Sequence, residues 1–262
     1  MDVINGYDVM GNICIAKFVR GAKIKDKKKW AEKFIREHKG ISSVVEKTGK
    51  FSGRLRTNKT KHIFGDNTKE VLYKENDCVF RFNIDTCYFS PRLASERKEI
   101  ASMVKKGEKV LVMFGGVAPY AIVIGKNSKA EKIVSVELGR ECNKYVVMNV
   151  KRNKLDEKVE IVQGDVRKII GRGKKVNLMF DRIVMARPNL RDSFLDVAFS
   201  VIKKNGIIHY YGFYDEDKIG KMKEMIANEA KMAGKRIKIL RVKKAGDIGV
   251  RKFRYRVDLR VY

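Results

Sequence analysis

Alternating apolar and polar positions organise the first ninety residues. The run "YDVMGNICIAKF" (7–18) alternates about a Gly-Asn pair and predicts a β-hairpin. In "KKKWAEKFIREHKG" (27–40), Trp30, Phe34 and Ile35 recur at helical spacing, and Gly40 is the expected C-cap. Short strand-like runs follow: "ISSVVEK", "HIFGD", "EVLYKEN" and "CVFRFNI". Residues 1–90 therefore read as a small α+β module rich in antiparallel strands.

From about residue 92 the rhythm changes. The stretch "RLASERKEIASMVKKGE" is helical; "KVLVMF", "KIVSVEL", "VEIVQGD", "FDRIVMA" and "GIIHYYGF" are apolar runs of strand length. Helices are expected at "RECNKYVVMNVKRNKL", at "RDSFLDVAFSVIKKNG" (191–206) and over 216–233. Strands alternating with helices imply a parallel sheet with right-handed crossovers. "RIKILRV" and "FRYRVDLRVY" close the chain as an antiparallel pair at the sheet edge. The fold class is α/β, a Rossmann-like domain over 91–262 beside the α+β module.

Charge narrows the partners. The 262 residues hold 59 Lys+Arg against 31 Asp+Glu, a net +28. A surface this basic repels itself unless it meets a polyanion, and nucleic acid is the commonest one; a lysine-rich proteome is the bland alternative. Cys14, Cys78, Cys87 and Cys142 are scattered, with no C-x-x-C. That spacing argues against zinc and for a reducing compartment. No apolar run reaches transmembrane length and the N-terminus lacks a leader pattern, so a cytoplasmic location is expected.

The turn "VLVMFGGVAPYAI" suggests a ligand. In a doubly wound sheet the ligand lies beyond the carboxyl ends of the strands, and Gly115 and Gly116 let backbone approach it. Glu137, near the end of "IVSVEL", suits two ribose hydroxyls, and Asp165, ending "VEIVQGD", suits an adenine amino group. A glycine loop and two acids at three successive strand ends form the layout of an S-adenosylmethionine site. No G-x-x-x-x-G-K-[ST] is present, which argues against an NTPase.

With these residues in view, the chain resembles archaeal members of the tRNA (guanine-37-N1)-methyltransferase family. The matches are "YDVMGNICIAKF", "YFSPRLASER", "VLVMFGGVAPYAI", "NVKRNKL" and "GIIHYYGF", spread over nearly the whole chain. Pro91, Pro119 and Pro188, the three prolines of the chain, all fall inside such motifs. A separate elbow-gripping domain found in some members has no counterpart in these residues.

The resemblance implies roles. Glu96 would be the general base for guanine N1, with Arg56 holding charge on O6 and Arg97 orienting the base or a phosphate. Tyr88 and Arg92 would line the methionine end of the cofactor. Phe114, Gly116, Val117, Glu137, Leu138, Asp165, Val166 and Pro188 would complete its site. Arg54, Arg56 and Arg187 would contact substrate. The anticodon arm of tRNA is the implied partner, of a monomeric enzyme that uses no metal. The ordinary reading of "SPRLASER" is a helix start with an exposed Arg92–Glu96 pair.

The chain departs from the family pattern at three places. Val112 replaces an acid at the end of the first strand of the second region, Ala118 replaces a glycine, and "MARP" replaces an N-L-P motif. Ala186 cannot make an asparagine's hydrogen bonds. Alternative readings are therefore aminocarboxypropyl transfer, methylation of a tricyclic guanine derivative, or a tRNA-binding protein with a decayed cofactor site.

Overall fold

The alternating N-terminal pattern folds as the expected hairpin. β1 (Ile4–Met10) and β2 (Ile13–Phe18) pair antiparallel from Met10↔Ile13 outward. This computed structural model describes residues 3–49, 53 and 57–262, and it divides into two compact units, Met1–Pro91 and Arg92–Tyr262.

In the first unit α1 (Ile24–Glu37) crosses over to β3 (Ser43–Lys47), which therefore lies parallel to β2. β4 (Thr60–Gly65) completes a sheet of order β1-β2-β3-β4. β5 (Glu70–Glu75) and β6 (Cys78–Asn83) form a separate antiparallel ribbon. The strands are antiparallel except where the α1 crossover forbids it. Helix α1 ends before Gly40, because the backbone N–H of His38 bonds Phe34 O and Ile35 O and its ring stacks on Phe34. Phe34 and Ala31 press onto Cys14, Ala16 and Val44 to make the small core.

The second unit begins with a short turn at Pro91–Leu93 and α2 (Ala94–Met103). Then follow β7 (Lys109–Met113), α3 (Pro119–Asn127), β8 (Lys132–Glu137), α4 (Arg140–Arg152) and β9 (Val159–Gln163). After these come α5 (Val166–Ile169), β10 (Phe180–Met185), α6 (Leu195–Val201) and β11 (Ile202–Asp215). α7 (Ile219–Met232), β12 (Ile237–Gly249) and β13 (Lys252–Val261) close the chain. The sheet order is β12-β13-β11-β10-β7-β8-β9, with β13 antiparallel to both its neighbours. Leu111, Val134, Ile183 and Ile208 are fully buried, as strands covered on both faces should be.

The helix expected over 191–206 is shorter. Asp192 and Ser193 bond the amides of Phe194 and Leu195, delaying its start, and an apolar run at its end passes into β11 at Ile202. β11 also outruns its neighbour. Its last pairing with β10 is Met185↔Tyr210, yet it continues beside β13 to Asp215↔Lys252. With β12 these strands form a tongue beyond the carboxyl edge of the sheet. Among the described residues no helix is long and apolar enough to cross a membrane.

Candidate active site

The loop leaving β7 is wound in an unusual way. Phe114, Gly116 and Ala118 alternate in the left-handed region at φ 62°, 58° and 63°. Gly115, between them, donates to Val136 O at 2.8 Å, and a Cβ there would sit 2.4 Å from Ser135 Oγ. β8 therefore demands glycine at 115. Val112, which stands where the resemblance leads one to expect an acid, is fully buried opposite Ser135, whose hydroxyl has no partner. Pro119 opens α3, where its missing N–H costs nothing.

Glu137 ties this loop to the next one. One oxygen accepts the Gly116 amide at 2.8 Å and the other the Gly139 amide at 2.7 Å. Burial pushes this carboxyl above its ordinary value, and the amides only partly offset it. At the end of β9 Asp165 caps α5, accepting the Arg167 amide at 2.9 Å. Val166 is buried, while Leu138 and Pro188 are half-buried. Phe114 meets Phe194 edge-on at 5.0 Å. Phe114, Gly116, Val117, Glu137, Leu138, Asp165, Val166 and Pro188 thus fall at the carboxyl ends of β10, β7, β8 and β9, which are neighbours in the sheet. A preshaped backbone cradle beside two carboxylates fits S-adenosylmethionine: Glu137 would take its ribose hydroxyls and Asp165 its adenine amino group. No cluster of described residues could hold a metal, and the four cysteines are buried and in no disulfide.

Glu96 lies on α2 and is 5% exposed. Its Oε1 accepts from Tyr211 Oη at 2.7 Å and from Arg256 Nη1 at 2.5 Å; its Oε2 accepts from Lys243 Nζ at 3.1 Å. Burial raises the Tyr211 hydroxyl well above its ordinary pKa, so it stays a donor. Glu99, one turn along α2, shares Lys243 and Arg256; their hydrogen bonds overcome the effect of burial and bring its carboxyl down to about 2. Arg256 also pairs with Asp258 at 2.9 Å. His209 continues the chain of contacts, 2.6 Å from Asp258 and 2.7 Å from Arg182 Nη1. Because Arg182 donates to Nε2, the His209 proton sits on Nδ1 and the ring is neutral; burial lowers its pKa accordingly.

The remaining expected residues are distributed unevenly. Arg97 is buried, its guanidinium 6.0 Å from the Tyr120 ring. Arg92 is exposed, and the partners of Glu96 are those named above rather than an i,i−4 arginine. Tyr88, half-buried, belongs to the first unit. Arg54 and Arg56 lie outside the described residues. Arg187 is buried, and its guanidinium donates to Leu190 O, Asp192 O and Tyr210 Oη, stapling its own loop. Tyr211, Lys243, Arg256 and Arg254 escaped the sequence reading. Arg254 lies in the tongue, its guanidinium 5.1 Å from the Phe213 ring; its Nε, like that of Arg256, is buried without a hydrogen-bond partner among the described residues.

Comparisons with known proteins agree with this geometry. The model of the TRM5/TYW2 methyltransferase domain matches residues 71–240. The chain is 32% identical to tRNA (guanine(37)-N(1))-methyltransferase Trm5b of Pyrococcus abyssi, over 97% of this chain and 74% of that protein. The crystal structure of that Trm5b superposes with a TM-score of 0.85, covering 98% of this chain and 75% of the other. Identity is 33% to the tRNA (guanine(37)-N(1))/4-demethylwyosine(37)-methyltransferase Taw22 of Nanoarchaeum equitans, over 97% of this chain and 98% of that one. A complex of aTrm5 with tRNALeu matches with a TM-score of 0.84 at 25% identity, covering 99% and 73% of the two chains. From the glycine loop, the two strand-end acids and these matches together, the chain belongs to the TRM5/TYW2 methyltransferase family.

Proposed function

We propose that this protein transfers a methyl group from S-adenosylmethionine to N1 of guanosine 37 in tRNA. The observation that carries the reading is Glu96: a buried carboxylate with one oxygen doubly fixed and the other held by a single lysine. Bound S-adenosylmethionine supplies an electrophilic methyl on a sulfonium. Guanine N1 is a weak acid, so its proton must leave as the methyl arrives. Glu96 Oε2 accepts that proton, and charge developing on O6 is met by arginine. Arg254, on the same strand and face as Arg256 and without an ion pair among the described residues, is suited to that task, which the resemblance gives to Arg56. Glu137, held by the Gly116 and Gly139 amides, orients the cofactor; Arg187 keeps the loop after β10 in shape.

The strand-rich first unit and the basic surface support clamping of the anticodon arm, mainly through phosphates, by a monomer in the cytoplasm. The target base must leave its stack to reach the methyl group. Incubation with unmodified tRNA and labelled cofactor, followed by nucleoside mass analysis, tests the reading: 1-methylguanosine at position 37 is the expected product, and unlabelled tRNA would reject it.

Ala186 favours a second reading. Ala186 is smaller than the asparagine the resemblance leads one to expect at the loop after β10, and the relative Taw22 is named for both guanine and 4-demethylwyosine. The same mass analysis, run on tRNA carrying the tricyclic base, separates this reading from aminocarboxypropyl transfer.

A further inference from the structure

The three groups that hold Glu96 come from one cross-strand row. Tyr211 of β11 is the register partner of Arg256 of β13, and Arg256 is the partner of Lys243 of β12. This row is the first beyond the end of β10, so it forms the root of the tongue. Alternate strand residues share a face, which is why Tyr211, Arg256 and Lys243 all turn to α2 while Tyr210 and Tyr255 join the opposite core. Glu96 meets this row from the helix, with Glu99 one turn further on.

The two oxygens of Glu96 are not equivalent. Oε1 receives the fixed donors: Tyr211 is 2% exposed with its ring 5.9 Å from that of Tyr120, and Arg256 is fully buried and also paired with Glu99 and Asp258. Among the described residues Oε2 receives Lys243 alone, at 3.1 Å, from a side chain 30% exposed. Lys243 also holds Glu99 through a shorter contact, so it keeps a partner when it leaves Glu96.

We infer that Tyr211 and Arg256 are positioning residues for Glu96. They hold Oε1 and turn Oε2 toward the substrate proton, while Lys243 is a removable partner that retires onto Glu99. The inference rests on Glu96 being the base, and the experiment separates the two. In single-turnover methylation of tRNA, Tyr211→Phe keeps the ring and removes the donor; the rate constant should fall about tenfold with S-adenosylmethionine and tRNA affinities retained. In a Glu96→Gln background the same change should cost nothing further, because Tyr211 acts through Glu96. Lys243→Met should raise the rate constant about twofold or more, since Oε2 then starts free.

A Tyr211→Phe enzyme that melts like the parent and methylates at the parent's rate overturns the inference, as does an equal loss in both backgrounds. A loss confined to tRNA affinity also overturns it. An unchanged or lower rate for Lys243→Met removes the lysine's part. If Glu96→Gln itself methylates normally, the base assignment fails first, whatever Tyr211 does. Should Tyr211→Phe melt early, Arg256→Lys serves: it keeps the charge but loses the fork, and a tenfold drop in the Glu96 parent alone supports the inference.

Discussion

The Glu137 carboxylate bridges the Gly116 amide, 2.8 Å away, and the Gly139 amide, 2.7 Å away, so the ends of β7 and β8 are bound by one side chain. Replacing Glu137 with Ala removes both acceptors together with the hydroxyl partner proposed for the cofactor. S-adenosylmethionine affinity should drop by about two orders of magnitude, measured by calorimetry. A Kd equal to that of the parent would mean that the cofactor lies elsewhere.

The raised pKa of Glu137 gives that affinity a pH dependence. Ionised Glu137 is the form that accepts from hydroxyls, and burial favours the neutral form. Affinity should therefore weaken as pH falls toward and below the raised value and level off above it. Titrations at neutral and acidic pH check the sign, with Glu137→Gln as the control that should lose this part of the slope.

Glu96→Gln keeps the shape and removes the basic oxygen. The methylation rate should fall by about two orders of magnitude or more while cofactor affinity is spared. An undiminished rate would take Glu96 out of the mechanism.

A methyl group at position 115 has nowhere to go, with Ser135 Oγ 2.4 Å from where it would stand. Gly115→Ala should destabilise the enzyme by about 1–3 kcal/mol and weaken cofactor binding. Adding Ser135→Ala should return part of the loss. Denaturant midpoints of the two variants would decide this.

His209 makes stability depend on pH. Its folded pKa lies below the ordinary 6.5, chiefly through burial, so the unfolded chain takes up the proton first as pH falls. This contribution is full above the unfolded value and is lost on acidification through 6.5 toward the folded value. The parent should thus lose more stability than His209→Gln between about pH 7 and about pH 5. Glu137 and Glu229, whose raised values act in the opposite sense, are common to both proteins and cancel. Parallel urea titrations measure the difference.

Affinity for tRNA should fall about a thousandfold or more between about 50 and about 200 mM salt. A flat response would contradict a phosphate-led interface.

Much of the cofactor side was legible because its signals are local. An apolar strand, a glycine turn and an acid at the next strand end lie within thirty or so positions, and a parallel sheet brings such ends together. The surroundings of Glu96 were not legible for the opposite reason. Its partners lie 115, 147 and 160 residues away along the chain, in strands whose polar residues read as ordinary edge decoration. The loop carbonyls that Arg187 holds were not legible either, because backbone acceptors leave no mark in a sequence. The end of α6 was hidden by an unbroken apolar run, since Val201 and Ile202 suit either a helix or a strand.

Phe114 and Ala118 hold left-handed twists that cost an L-residue about 1–2 kcal/mol each, and the packing of the fold carries that strain. The seat for the nucleoside is therefore moulded by the fold, and little disorder has to be frozen out on entry. Such a seat cannot tell the loaded cofactor from the demethylated thioether left behind, since both present the same adenosine. For the proposed cofactor site strong product inhibition should follow, measured as turnover that slows early and recovers when the thioether is enzymatically removed.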